Sequence, residues 1–150
     1  MRKFADLAEF VAAKGEHLGY SDWHEITQEQ VSMFADATGD HQWIHVDIDR
    51  AKAGPFGGPI AHGFLTLSLL PMLGAEIYQV GGLRMGINYG LEKVRFPNPV
   101  LVGARVRAGA ELLTVNEVER GTQAVVKYVV EIENAPKPAC VAEFVVLLAT

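Results

Sequence analysis

The stretch that decides the fold is IAHGFLTLSLLPMLGA, residues 60–75. This richest apolar run is shorter than the roughly 20 residues of a membrane-spanning helix, and it contains His62 and Pro71. In a globular protein, a helix that is apolar around most of its circumference is buried on most of its sides. We therefore predict a central buried helix from about His62 to Tyr78, closed by Gly81 and Gly82.

The sequence after this helix changes to a strand pattern. Residues 83–97, 102–118, 122–134 and 138–149 are rich in Val, Leu and Ile, and the turn signals PNP, ERG and APKP separate them. Apolar and polar residues alternate in ARVRAGAELL (104–113) and KYVVEIE (127–133). Helices followed by long strands predict an α+β domain, with the buried helix lying against a curved antiparallel sheet.

The first 40 residues predict two further helices. Apolar residues at helical spacing favour a helix over residues 3–13 that ends near Gly15, so residues 1–17 form an N-terminal helical extension. Residues 18–25 have an extended character. The sequence Thr27-Gln28-Glu29-Gln30 is a capping box that opens a second helix, and Gly39 stands at its expected end. Residues 40–60 are predicted to be mainly loop, with one helical turn around Asp49 to Ala53. No linker or repeat divides the chain, so residues 1–150 are predicted to be one domain.

Composition excludes several classes of protein. The net charge of −5 and the absence of any basic run argue against a nucleic-acid partner. The single cysteine, Cys140, excludes an intrachain disulfide, suits a reducing compartment and is expected to be a buried inert thiol. Asp6 and Glu9 interrupt what would be the apolar segment of a signal peptide. We expect a cytoplasmic protein that has no membrane partner.

The segment TGDHQWIHVD, residues 38–47, contains the strongest candidate for chemistry. Asp40 follows the end of a helix, where the macrodipole disfavours a carboxylate, and such local conflicts mark candidate functional sites. His45 follows five residues later, although Asp47 is an alternative partner for it. Downstream, Ala61-His62-Gly63 opens the apolar helix, whose free N–H groups can bind a developing oxyanion. Together these groups predict acid/base chemistry next to a carbonyl.

These residues carry a family resemblance. TGDHQWIHVDIDRA (38–51) resembles the signature of the (R)-specific enoyl-CoA hydratases, the MaoC-like dehydratases of the hotdog fold. The matching positions are Phe34, Gly39, Asp40, Ile44, His45 and Ala51. PIAHGFLTLSLL resembles the entry to the family's central helix, and INYGLEKVRFPNPVLVGARV resembles its first long strand, turn and second strand. The resemblance covers about residues 20–150, and it looks closest to the nodulation-protein-N-like branch.

The resemblance implies a single hotdog domain and a hydro-lyase without a cofactor. Such an enzyme reversibly hydrates trans-2-enoyl thioesters of coenzyme A or acyl carrier protein, and in reverse it dehydrates (R)-3-hydroxyacyl thioesters. Asp40 and His45 would hold one water, and the Gly63 N–H would bind the thioester oxygen. Gln42 and Trp43 replace the family's usual Asn-Pro, which leaves the loop shape and the substrate preference open.

Weaker signals concern substrate and metal binding. Gln42, Trp43, His62 and Arg95 are candidate substrate contacts, although His62 is also expected to brace the loop. Arg84 and Lys93 join Arg95 as cations within reach of a coenzyme A phosphate or pantetheine. His41 and His45 have the H-x-x-x-H spacing of metal ligands, but that spacing needs a helix, which is not expected here. We therefore expect no metal site.

Two other functions remain open within the hotdog fold. Common hotdog thioesterases need a carboxylate in or near the central helix, and residues 63–75 contain none. A catalytically silent module that binds thioesters or pairs with an active subunit is the second alternative, and the intact Asp40 and His45 argue against it. An edge strand and an apolar face left by one curved sheet predict a homodimer.

Overall fold

The computed structural model describes residues 1–150, and it contains eight strands and six helices. In chain order they are β1 (Arg2–Phe4), α1 (Leu7–Ala12), β2 (His17–Tyr20), β3 (His24–Glu25), α2 (Gln28–Thr38), α3 (Trp43–Val46), α4 (Ile48–Lys52), α5 (Gly63–Ser68), α6 (Leu70–Ile77), β4 (Tyr78–Val80), β5 (Met85–Arg95), β6 (Arg105–Val118), β7 (Gly121–Ile132) and β8 (Cys140–Ala149). The four long strands predicted after the helix are confirmed as β5 to β8, with ends within three residues of the expected ones.

One antiparallel sheet of six strands forms the body of the fold. Its order is β2-β6-β7-β8-β5, and the short β3 also pairs with β6. Residues of β7 alternate strictly between buried and partly exposed, as expected of a strand with one face on the core. The register shifts between β6 and β7 and at two places between β5 and β8. Such bulges bend strands, which gives the predicted curved sheet its shape.

The central helix lies against the concave face of this sheet, as predicted, but it is divided into α5 and α6. Pro71 has no N–H to donate to the carbonyl of Leu67, and the helix is interrupted at Leu69. The buried helix residues Leu65, Leu70, Leu73 and Ile77 join one hydrophobic cluster with the sheet. The sheet residues in that cluster include four alanines, Ala108, Ala110, Ala124 and Ala142, whose small side chains leave space for the helix.

The N-terminal segment differs from the prediction in its first residues. The helix predicted over residues 3–13 spans only Leu7–Ala12, because the Asp6 side chain caps it by accepting a hydrogen bond from the Glu9 N–H at 2.9 Å. Residues 2–4 instead form β1, which pairs in parallel with β4 directly after the central helix. Phe4 and Phe10 belong to the same hydrophobic cluster as the sheet, so the N-terminal segment packs on that core. None of the helices has both the length and the apolarity needed to cross a lipid bilayer.

Candidate active site

The end of α2 positions Asp40. Thr27 caps the start of this helix, as predicted, and Gly39 ends it in the left-handed conformation (φ 80°) with its N–H donating to the Ala35 carbonyl at 2.8 Å. A side chain at position 39 would be strained in this conformation, so the turn favours glycine. Beyond the turn, the exposed Asp40 carboxylate accepts a hydrogen bond from the backbone N–H of Gln42 at 3.3 Å. That contact holds the carboxylate close to Gln42, the residue before α3.

His45 lies on α3, in a segment that was expected to be loop. Its side chain is only 6% exposed, and Nδ1 donates to the Ile60 carbonyl at 2.7 Å. A donor at Nδ1 leaves Nε2 of the neutral ring without a proton, and therefore able to act as a base. Burial is the largest effect, and it lowers the pKa of His45 below its usual 6.5. The hydrogen bond to Ile60 opposes this lowering, and the smaller electrostatic effects of His62 and Asp40 lower and raise the pKa respectively. The neutral ring is therefore favoured near pH 7.

The backbone around His45 is held by neighbouring elements. The Gln28 side-chain amide, on α2, donates to the carbonyl of His45 at 2.9 Å. The Ile60 N–H donates to the carbonyl of Ile44 at 3.0 Å. The alternative partner for His45, Asp47, caps α4 instead, because its Oδ1 accepts from the Arg50 N–H at 3.2 Å. Asp47 is thus engaged elsewhere, and Asp40 is the carboxylate that approaches His45.

His62 connects the two predicted acid/base residues. It is 2% exposed, and Nε2 donates to the backbone carbonyl of Asp40 at 3.0 Å. Its ring stacks on that of His45 with centroids 3.8 Å apart, and Phe34 packs nearby at 4.8 Å. The remaining nitrogen, Nδ1, is buried and has no hydrogen-bond partner. The prediction that His62 braces the loop agrees with the bond to Asp40, whereas its contact with substrate stays a prediction.

Asp40, His45 and His62 converge. One potential ligand atom from each lies within 4.8 Å of the other two. A carboxylate and two imidazoles spaced in this way can share one water, and the same donor types also bind transition metals. The spacing noted in the sequence does not contribute, since His41 is exposed and its Nε2 pairs with Asp36 Oδ1 at 2.8 Å. The expectation of no metal stays a prediction.

Gly63 begins α5 beside this cluster. Its N–H forms no hydrogen bond within the chain, and the His62 side chain does not cap the helix. Free amides at the start of a helix bind developing negative charge. A Cβ on Gly63 would lie 2.9 Å from Cδ2 of Phe96, so the close approach of that ring requires glycine. The entry to α5 is fixed further by the Ala61 N–H, which donates to the Val100 carbonyl at 2.8 Å.

A cavity of about 360 Å³ opens between α3, the start of α5 and the segment that precedes β6. His45, Gly63, Thr66 and Asn98 supply its polar groups. The other lining residues are Ile44, Phe56, Ile60, Ala61, Phe96, Pro99, Val100 and Ala139. Asp40 and His62 are not among the lining residues. The cavity is therefore a mainly apolar pocket whose lining includes a base, His45, and a free amide, that of Gly63.

The remaining predicted contacts lie outside the cavity lining. Gln42 is exposed at the N-cap of α3. The Trp43 ring packs against Gly54, with the Arg50 guanidinium 4.3 Å from its centroid. Arg95, at the exposed end of β5, donates to the carbonyl of Val94. Their role in substrate binding, like that of Arg84 and Lys93, stays a prediction.

Sequence reasoning missed several residues of the cavity. Phe56, Phe96 and Asn98 come from segments that no motif connects to Asp40 and His45. Thr66 could have been identified from the sequence, because it follows Gly63 by three residues and residues at that spacing lie on one face of a helix.

Comparisons with known proteins agree with this geometry. The sequence model of the family described as MaoC like domain matches residues 9–135. The chain is 60% identical over 147 residues to 3-hydroxyacyl-thioester dehydratase Z of Mycobacterium tuberculosis strain H37Rv, covering 97% of each chain. It is 43% identical to nodulation protein N of Rhizobium leguminosarum bv. viciae, covering 95% of this chain and 90% of that protein. The solved structure of the (R)-hydratase from Aeromonas caviae superimposes with a TM-score of 0.72 at 26% identity, covering 89% of this chain and 96% of that one.

These similarities extend over nearly the whole chain and include the segment from Asp40 to Gly63. The chain belongs to the MaoC-like dehydratase family, and its fold is the hotdog fold of the MaoC-like hydratases.

Proposed function

We propose that this protein is a hydro-lyase that reversibly hydrates trans-2-enoyl thioesters to (R)-3-hydroxyacyl thioesters. The observation that carries the proposal is the convergence of Asp40 on His45, which lines an apolar cavity together with Gly63 and its free amide. The names of two relatives, a 3-hydroxyacyl-thioester dehydratase and an (R)-specific enoyl-CoA hydratase, support the same reaction. The acyl group is carried by coenzyme A or by acyl carrier protein.

The reaction follows from the positions of these groups. One water is held between the Asp40 carboxylate and Nε2 of His45, and this pair takes one proton as the water oxygen bonds to the β carbon. The π electrons of the carbon–carbon double bond move toward the thioester oxygen, where the Gly63 N–H stabilises the negative charge. The pair then returns one proton to the α carbon, and the thioester carbonyl re-forms. Dehydration follows the same steps in reverse.

Thioester hydrolysis is the weaker alternative. The only carboxylate on the central helix is Glu76, near the end of α6. Its Oε1 pairs with Nε2 of His24 at 2.7 Å, and its Oε2 accepts from the Asp22 N–H at 3.0 Å. Glu76 is absent from the cavity lining. It therefore serves to join α6 to β3 and is not positioned to attack a thioester in the cavity.

We also propose that two copies of the chain pair through β5. Every residue of this 11-residue edge strand except Val94 is exposed, and Tyr89 is 71% exposed. Long edge strands with exposed apolar side chains favour pairing with another strand. Met85, Ile87 and Leu91 would be covered in such a dimer, and a C₂ axis would make the sheet continuous across both subunits. A cytoplasmic location stays a prediction from composition.

One assay separates these functions. Purified protein is mixed with trans-2-enoyl-CoA substrates of increasing chain length, and loss of enoyl absorbance is followed together with release of free thiol. The proposal expects absorbance loss without thiol release and a product of R configuration on chiral analysis. Thiol release would identify a thioesterase. Binding of crotonyl-CoA without any turnover would identify a silent module.

A further inference from the structure

Thr66 is a buried hydroxyl that the reaction described above does not use. It lies on α5, is 3% exposed and lines the cavity together with His45 and Gly63. Most of the other lining residues are apolar. Thr66 thus places a hydroxyl, able to donate a hydrogen bond to a ligand, in a wall that is otherwise mainly apolar.

Hydroxyls at other positions in the helices show what Thr66 lacks. Ser68 on the same helix donates to the Phe64 carbonyl at 2.6 Å, and Thr38 on α2 donates to the Phe34 carbonyl at 2.8 Å. Both bonds reach four residues back along the helix, as is usual for helical Ser and Thr. The carbonyl four residues before Thr66 belongs to His62, which accepts the backbone N–H groups of Leu65 and Thr66. The Thr66 hydroxyl forms no such bond, although Thr66 lines the cavity.

The direction of the side chain brings Thr66 toward Gly63. Side chains on a helix lean toward its N-terminus and cover the preceding turn. Residue 66 is three positions after residue 63, so its side chain projects over the turn that carries the free Gly63 N–H. The two donors thus line the same cavity as His45.

We propose that the Thr66 hydroxyl is a second hydrogen-bond donor to the thioester oxygen, acting with the Gly63 N–H. This inference rests on the proposed hydratase function and adds a residue to it. Thr66 neither gains nor loses a proton in the reaction. Its O–H group donates to the carbonyl oxygen of the bound thioester, and the bond strengthens as that oxygen becomes an enolate. Thr66 would therefore contribute mainly to the rate of the chemical step.

The test compares Thr66→Val, which keeps the shape and removes the hydroxyl, with Thr66→Ser, which keeps the hydroxyl. We expect Thr66→Val to lower kcat for crotonyl-CoA hydration by ~10-fold or more with little change in KM, since loss of one oxyanion donor costs up to ~10³-fold. Thr66→Ser should retain most of the activity. Ser68→Ala, which removes a hydroxyl from the same helix outside the cavity lining, is the matched control and should leave kcat unchanged.

A spectroscopic measurement tests the contact directly. Butyryl-CoA labelled with ¹³C at the carbonyl binds without being hydrated, and donors shift its carbonyl stretch to lower frequency. The shift should be smaller in Thr66→Val than in the wild type and in Thr66→Ser. If the wild type is active, three results would overturn this inference while leaving the proposed function intact. They are full activity of Thr66→Val, a defect of that variant in KM only, and a carbonyl shift in that variant equal to the shift in the wild type. A folded wild type without hydratase activity would instead overturn the proposed function.

Discussion

The rings of His45 and His62 stack with centroids 3.8 Å apart, and each ring donates one N–H to a backbone carbonyl. His45 is bound to Ile60 and His62 to Asp40, so the two bonds orient both rings and leave His45 Nε2 and His62 Nδ1 free as acceptors. Hydrogen bonds from the far side of a histidine commonly fix its tautomer in catalytic sites. The stacked pair therefore joins the loop that carries Asp40 to the start of the central helix.

Removal of either acid/base group should abolish hydration without unfolding the chain. Asp40→Asn and His45→Gln keep the approximate size of each side chain but remove its ability to exchange a proton. Because a positioned acid or base contributes about 10²–10⁴-fold, each variant should lose at least about a hundredfold in kcat for crotonyl-CoA. Circular dichroism of both variants should match the wild type. Substantial activity in either folded variant would reject the assignment.

The pH dependence of activity should show the lowered pKa of His45. Burial is the main cause of that lowering, so the base form persists below pH 6.5 and the acid limb of kcat/KM should have its midpoint below 6.5. The free energy of unfolding should also depend on pH through His45. As pH falls through 6.5, the imidazole at position 45 is protonated in the unfolded chain but not yet in the folded one. The free energy of unfolding therefore decreases with falling pH, and this decrease ends once pH is below the pKa of His45 in the folded state. His45→Gln should lack this contribution to the slope. A midpoint above 6.5 would contradict the assignment to a neutral buried His45.

His62 should act as a positioning residue. In His62→Leu the hydrogen bond to the Asp40 carbonyl and the aromatic stacking on His45 are both lost. We expect kcat to fall at least about tenfold while KM changes little, because misplacement of a catalytic group reduces rate more than binding. An unchanged kcat with a raised KM would instead indicate that His62 binds substrate.

The addition of a methyl group at Gly63 should lower both stability and activity. The Cβ of Gly63→Ala would approach the Phe96 ring to 2.9 Å, so the ring or the helix start must move. Overpacking of this kind costs about 1–3 kcal/mol of stability, and a shift of the amide should also lower kcat. Phe96→Leu provides space for the methyl group, so the double variant should recover part of the loss. Simple additivity of the two single variants in a double-mutant cycle would show that the contact with Phe96 is not responsible.

The edge strand β5 should mediate dimerisation. Light scattering should give the wild type twice the mass of one 16.3 kDa chain. Ile87→Lys places a charge on the exposed edge and should shift the population toward monomers. Val118→Lys, at another exposed apolar position near the end of β6, is the control and should remain dimeric. A monomeric wild type would contradict the proposal.

Regular periodicity made most of the fold predictable. The alternation in β6 and β7 and the capping signals at Thr27 and Gly39 are local, and the structure places these elements where the sequence indicates. β1 and β4 were missed because strands of three residues are too short to show a period. The break at Leu69 follows from Pro71, which was visible in the sequence but was not interpreted as a division of the helix.

The candidate site was only partly predictable, for a different physical reason. Asp40 and His45 stand in one short segment, so their pairing is a local property. The Phe96 ring contacts Gly63 because the segment before β6 pairs with the segment before α5. This pairing is an antiparallel bridge between Ile60 and Leu101. Such contacts depend on how distant parts of the chain pack together. The tautomers of the two histidines likewise depend on backbone carbonyls whose positions no motif encodes.

The position of Trp43 allows ligand binding to be followed by intrinsic tryptophan fluorescence. The chain has two tryptophans, and Trp43 lies between the two acid/base residues in sequence, with its ring held between Gly54 and Arg50. Trp23 lies beside the Arg107 guanidinium, 4.8 Å from it, away from the cavity lining. In a Trp23→Phe protein, all tryptophan fluorescence would therefore come from α3. Quenching or a shift of that fluorescence during a thioester titration would follow ligand binding without any added dye.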